Sequence, residues 1–167
     1  MKLYGVVGWK NSGKTGLVER LVADIAAQGI RVSTVKHAHA GADIDTPGTD
    51  SFRHRAAGAA EVMLVTPSRW ALMSELRGKP EPSLAEAIAR LGPTDLVIAE
   101  GWKREGHPKI EAHRAATGQP LIADTDTSIR AVASDTPDEV TWAGGPIFDL
   151  DDTAAIARFI LADVGVQ

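Results

Sequence analysis

The sequence predicts an α/β fold with a mainly parallel central sheet and some antiparallel strands. Three observations predict it. A short apolar run at residues 3–7 runs into a glycine-rich turn, and Leu17, Val18, Leu21, Val22 and Ile25 then recur at helical spacing. A second run, residues 30–35, alternates and carries β-branched residues, so the order is strand, helix, strand. That order favours parallel pairing through a right-handed crossover. Later, residues 60–65 and 70–76 flank Thr66-Pro67-Ser68, which reads as an antiparallel hairpin.

The elements follow in order. The first helix is expected over residues 13–28, with Gly29 as its stop. After the second strand comes a long polar stretch, residues 36–51, without apolar periodicity. Long ordered loops of this kind are often functional. A short helix fits residues 51–58. Ser83 and Glu86 form a capping box for a helix carrying Leu84, Ala87, Ile88 and Leu91, which Gly92-Pro93 ends. Residues 95–101 read as a core strand that ends in an acidic residue and a glycine. Further strands are expected at residues 109–114 and 120–124, followed by the apolar stretch 130–135. A last helix starts near Asp151-Asp152, with Ala155, Ile156, Phe159 and Ile160 on one face. No repeat, low-complexity tract or long linker divides the 167 residues, so one domain is expected.

Composition excludes several classes. A net charge of -4 argues against a general nucleic-acid or membrane-surface binder. The absence of cysteine removes disulfides and thiolate metal sites. No apolar run is long enough to span a membrane, and because the N-terminus enters a strand at once, no signal peptide is expected. A cytoplasmic location is the expectation.

The chemistry concentrates in Gly8-Trp9-Lys10-Asn11-Ser12-Gly13-Lys14-Thr15, which matches G-x-x-x-x-G-K-T. Such a loop, set between a strand and a helix, cradles phosphate on backbone amides at the positive end of the helix. Gly8, Asn11, Ser12, Gly13, Lys14, Thr15 and Gly16 are the expected nucleotide-binding residues. Lys14 would reach the β- and γ-phosphates, and the Thr15 hydroxyl would ligate Mg²⁺. Glu100, at the end of a core strand, suits the second Mg²⁺ position, and Gly101 would let backbone approach the terminal phosphate. Lys14 and Glu100 are therefore the candidate catalytic residues.

Around the strand ends lie Lys36, His37, His39, Arg53, His54, Arg55, Lys103, Arg104 and Lys109. They either surround a phosphorylated ligand or form a solvated basic face. His37 and His39, with Asp43 and Asp45 nearby, allow a Zn²⁺ or Ni²⁺ reading, although no four-ligand set has a recognised spacing. No nucleophile elbow or carboxylate dyad stands out, so any hydrolysis is expected to be slow. From these residues alone a GTP-binding protein, a metallochaperone GTPase and a small-molecule kinase all stay open.

Four stretches carry a family resemblance: residues 8–15, 34–51, 53–59 and 96–103, with Lys109-Ile110-Glu111 and Arg114 in support. On them the chain resembles molybdopterin-guanine dinucleotide biosynthesis protein B. It departs from the family's usual pattern at Ala40, Ala42 and Thr49, which weakens a metal role built on a larger histidine cluster. It also lacks an N-K-x-D guanine-reading motif, so a choice of GTP over ATP is implied by the resemblance alone. The resemblance further implies a three-layer P-loop NTPase fold, a homodimer, GTP and Mg²⁺ as cofactors and weak GTPase activity. It implies molybdopterin as a bound ligand and, as partner, the guanylyltransferase that joins GMP to molybdopterin.

Overall fold

A computed structural model describes residues 1–38 and 45–166. Two compact units make up the chain: Met1–His37 with Leu84–Gln167, and Ala38–Ser83.

The larger unit is built on a six-stranded parallel sheet. Its strands are β1 (Lys2–Val7), β2 (Val32–Lys36), β5 (Leu96–Glu100), β6 (Lys109–His113), β7 (Ile129–Ser134) and β8 (Ile147–Asp149). The spatial order is β2-β5-β1-β6-β7-β8, and every pairing is parallel. Helices α1 (Lys14–Ala27) and α4 (Thr153–Val164) cover one face. Tyr4, Val6, Leu96, Ile98, Ile110 and Ala112 point toward them and meet Leu17, Leu21, Ile25, Ile156 and Ile160, all 0% exposed. The other face is closed by lighter cover. Val7, Ile129 and Val132 pack under Leu121, Ile122, Val140 and Trp142. On that face the short helix α3 (Leu84–Ile88) lines a cavity together with Leu3 and Val97. The expected α/β class, three layers with a mainly parallel sheet, is what forms.

The smaller unit holds α2 (Asp50–Ala56) and the antiparallel hairpin of β3 (Glu61–Val65) and β4 (Trp70–Ser74). Thr49 caps α2 by accepting from the Phe52 N–H. The hairpin therefore supplies the expected antiparallel strands.

Three points differ from expectation. Residues 120–124 form a 3₁₀ turn at Ile122–Asp124, not a strand. The reason is a buried carboxylate: Glu111 accepts the Ile122 and Ala123 N–H groups at 3.0 and 2.8 Å, taking donors a ladder would need. Strand β8 was not expected. Three residues, Ile147–Asp149, carry too little periodicity to be read, and their pairing with β7 creates the strand. Helix α3 is also shorter than its apolar stripe suggests, since Leu91 lies beyond its end.

Candidate nucleotide-binding site

The loop between β1 and α1 is built by close approach. A Cβ at Gly8 would collide with the Ala112 carbonyl and Ser12 Oγ, so only glycine fits there. Asn11 takes φ 66°, a left-handed conformation that asparagine tolerates better than most residues. Gly13, at φ 90°, caps α1 without a side-chain acceptor. The first-turn amides of α1 therefore depend on partners outside the helix, and the dipole leaves positive potential there. Ser12 Oγ is also buried without a hydrogen-bond partner. An anion would supply what these groups lack.

Lysine side chains gather at the same place. Lys14 Nζ donates to the Trp9 carbonyl at 2.5 Å. Lys103 Nζ sits 4.2 Å from the centre of the Trp9 ring, a cation–π contact. Burial lowers the pKa of Lys14, and the charges of Lys103 and Lys36 lower it further against the pull of Glu100. Burial likewise lowers that of Lys103, while Glu111 opposes it. Three ammonium groups thus gather at one place, with the Glu100 carboxylate at its mouth, a concentration of positive charge that suits a polyphosphate.

That carboxylate is Glu100, 7% exposed at the end of β5. It accepts from Thr15 Oγ1 at 2.9 Å and pairs with Lys36 Nζ at 3.2 Å. The two residues expected to hold Mg²⁺ are therefore adjacent, although 85 positions separate them. Gly101 follows at φ 86°, and a Cβ there would stand 3.1 Å from the His37 carbonyl oxygen. Tight packing against the start of the loop after β2, not only access to a ligand, explains that glycine.

The other candidates separate. His37 packs its ring against Trp102, with centroids 4.9 Å apart. His39 and Asp43 lie outside the described residues. Among the described residues no cluster of three His, Asp or Glu side chains is placed to hold a metal ion. Arg55 belongs to the smaller unit and is held by Asp45 at 3.2 Å and Glu75 at 2.6 Å. Arg53, on the same helix, lies 3.9 Å from Asp50. Lys109 is 1% exposed and locked by Asp126 at 2.7 Å and the Lys103 carbonyl at 3.0 Å, so it braces the fold.

On the β6 side of the loop opens a cleft of about 610 Å³, lined by Trp9, Lys10, Asn11, Arg114, Thr117 and Gln119 among others. Trp9 Nε1 donates to the Pro120 carbonyl at 2.8 Å, tying the loop to the cleft wall. Reading the sequence assigned Arg114 no role. A cation at the end of an expected strand was visible, but its place beside the loop depends on β6 being the neighbour of β1.

The comparisons with known proteins agree on one family. The profile described as "Molybdopterin guanine dinucleotide synthesis protein B" matches residues 3–135. The chain is 38% identical over 161 residues to a molybdopterin-guanine dinucleotide biosynthesis adapter protein of Haemophilus influenzae, covering 95% of this chain and 86% of that one. It is 35% identical to the adapter protein of Escherichia coli, covering 95% and 91%. Among solved structures it resembles a MobB protein homolog from Bacillus stearothermophilus, with TM-score 0.70, 29% identity and full coverage of both chains. It also resembles Bacillus subtilis MobB, with TM-score 0.77, 25% identity and 98% coverage of each. Sequence, fold and relatives converge: the chain belongs to the molybdopterin guanine dinucleotide synthesis protein B family.

Proposed function

We propose that this protein serves molybdopterin guanine dinucleotide biosynthesis as an adapter that binds GTP with Mg²⁺. In this reading it assists the guanylyltransferase that joins GMP to molybdopterin, and it hydrolyses GTP slowly. Molybdopterin is its second ligand. The observation that carries the nucleotide part is the convergence of Lys14, Lys36 and Lys103 on the start of α1, beside the Thr15–Glu100 pair.

The residues fit the cofactors. Thr15 and Glu100 offer a hydroxyl and a carboxylate, the oxygen donors Mg²⁺ takes when phosphates complete its shell. Mg²⁺ held there would neutralise charge on the terminal phosphates. The amides after Gly13 and the Lys14 ammonium would bind phosphate oxygens. Glu100 already accepts from Thr15 and pairs with Lys36, so it is engaged as a ligand and not set to activate water. That supports slow hydrolysis. Guanine as the base rests on the relatives' names.

A homodimer belongs to the same reading. Met63, Leu64, Val65 and Trp70 of the hairpin are 58%, 51%, 68% and 64% exposed, an apolar surface of the kind that marks an interface.

The test is a titration with GTP and ATP, with and without Mg²⁺, followed by the fluorescence of Trp9. Lys14→Ala should weaken triphosphate binding by about 1.5–3 kcal/mol, the worth of a charge-assisted contact. Glu100→Ala should remove most of the Mg²⁺ dependence. GTP preference is the expected result. Preference for ATP would break the guanine reading and favour a kinase. Unchanged affinity in Lys14→Ala would show that the loop is not the site.

A further inference from the structure

We propose that Arg114 grips the phosphate nearest the nucleoside, and that the nucleoside itself lies in the cleft beside Arg114. The inference rests on the nucleotide-binding reading and gives the bound molecule a direction.

The direction follows from the sheet. Strand β1 feeds the loop and lies between β5 and β6. The β5 flank carries Glu100, Thr15 and Lys36, the oxygen donors and the cation suited to a metal and terminal phosphates. A nucleotide with its terminal phosphates there must leave the loop on the β6 flank. That flank carries Arg114 and the cleft of about 610 Å³, a size within the usual range for small-ligand pockets.

Arg114 is placed for the first phosphate on that path. A Cβ at Gly13 would lie 3.0 Å from Arg114 Nε and 3.5 Å from Nη2, so the guanidinium rests over the junction of loop and helix. Among the described residues the guanidinium has no hydrogen-bond or ion-pair partner. Its planar fork matches two phosphate oxygens, which an ammonium cannot do. Ser12 Oγ, 1% exposed in the same loop, is a second polar group without a partner.

The cleft wall is pinned at both ends, as a binding surface needs. The Ala115 N–H donates to Asp135 Oδ1 at 2.9 Å. The Pro120 carbonyl accepts from Trp9 Nε1 at 2.8 Å. Between them, Thr117 Oγ1 donates to the Arg114 carbonyl at 2.8 Å and fixes the backbone that carries the arginine.

The experiment measures GMP, GDP and GTP binding by calorimetry in the wild type, Arg114→Ala, Arg114→Lys and Lys14→Ala. Arg114→Ala should lose about ten- to a hundredfold in affinity for all three nucleotides alike. Arg114→Lys should recover only part, because it restores charge without the fork. Lys14→Ala should weaken GDP and GTP but leave GMP nearly unchanged. The Arg114 side chain is exposed, so the melting temperature of both arginine variants should match the wild type. Wild-type affinity in Arg114→Ala overturns this inference and leaves nucleotide binding standing. A loss for GTP without a loss for GMP puts Arg114 on the terminal phosphates and overturns it too. A wild type that binds no nucleotide overturns both readings together.

Discussion

Strands β5 and β3 are five-residue runs rich in apolar side chains, and they meet opposite fates. In β5 every residue is buried, with Leu96, Val97, Ile98 and Ala99 at 0% exposure. In β3 only Val62 is buried, and in β4 only Met73. The difference lies in their neighbours. β5 sits between β2 and β1, its helix-facing residues packed under α1 and its other side lined by α3 near Val97. Among the described residues, β3 has no strand neighbour apart from β4. Val62 pairs with Met73 on the covered side of the hairpin, while Met63 with Leu72 and Val65 with Trp70 stand on the other. An apolar run states a need for burial. In the parallel sheet the chain meets that need itself, and in the hairpin most of the apolar side chains stay exposed.

The comparison can be broken most directly in the sheet. Ile98→Ala should cost about 2–5 kcal/mol in denaturant unfolding, because a fully buried methylene-rich side chain leaves a cavity. A cost below 1 kcal/mol would mean that β5 is not the centre of the core. Glu111→Ala should come next, at about 2–3 kcal/mol. It leaves the half-buried Ile122 N–H and the buried Ala123 N–H without an acceptor, and it frees the turn beside the cleft wall. Faster amide exchange at Ile122 and Ala123 should accompany the loss.

His107 gives a pH signature specific to the sheet side. Its ring lies against Gly5 of β1, and burial, helped by the charge of Lys109, lowers its pKa from 6.5 to about 4. The folded protein therefore binds the proton less readily than the unfolded chain. Stability is full above pH 6.5 and falls as the pH drops toward 4, where the unfolded state takes up the proton first. The loss should be about 1–2 kcal/mol, since the ring is partly solvated. Melting curves between pH 4 and 7 should show this slope in the wild type, and His107→Gln should flatten it.

The smallest effect on stability belongs to the hairpin. Leu64→Ser, at a position 51% exposed, should change the unfolding free energy of the dilute protein by less than about 0.5 kcal/mol. The same substitution combined with Val65→Ser should lower self-association in sedimentation velocity. If stability falls as far as in Ile98→Ala, the hairpin is covered within one chain and the contrast with β5 disappears.

Much of the architecture was legible locally. The run before Gly8, the helical spacing from Leu17 to Ile25 and the hairpin flanking Thr66-Pro67-Ser68 each depend on residues close in the chain. Residues 120–124 misled because their apolar pattern looks like a strand, while the decisive contact comes from Glu111 on another element. Strand β8 was invisible for the same reason, since its partner β7 alone defines it. In the candidate site, Lys14, Thr15 and Glu100 were legible as candidates from motif and strand ending, and the contact of Thr15 with Glu100 came only with the fold. Lys109 fits neither of its two readings, a ligand contact or a solvated basic face, because it is spent on Asp126 inside the fold.

By itself the sequence determined the candidate phosphate cradle between β1 and α1, because glycine freedom, an amide-lined helix start and a lysine are properties of eight consecutive residues. It also determined the α/β class, because hydrophobic period is set by residues a few places apart. Only the tertiary structure decided which charges meet. Thr15 and Glu100 touch because β5 lies beside β1, and Arg114 reaches Gly13 because β6 lies on the other side. Strand order is set by how side chains far apart in the chain share one core, and no local stretch of residues carries that information.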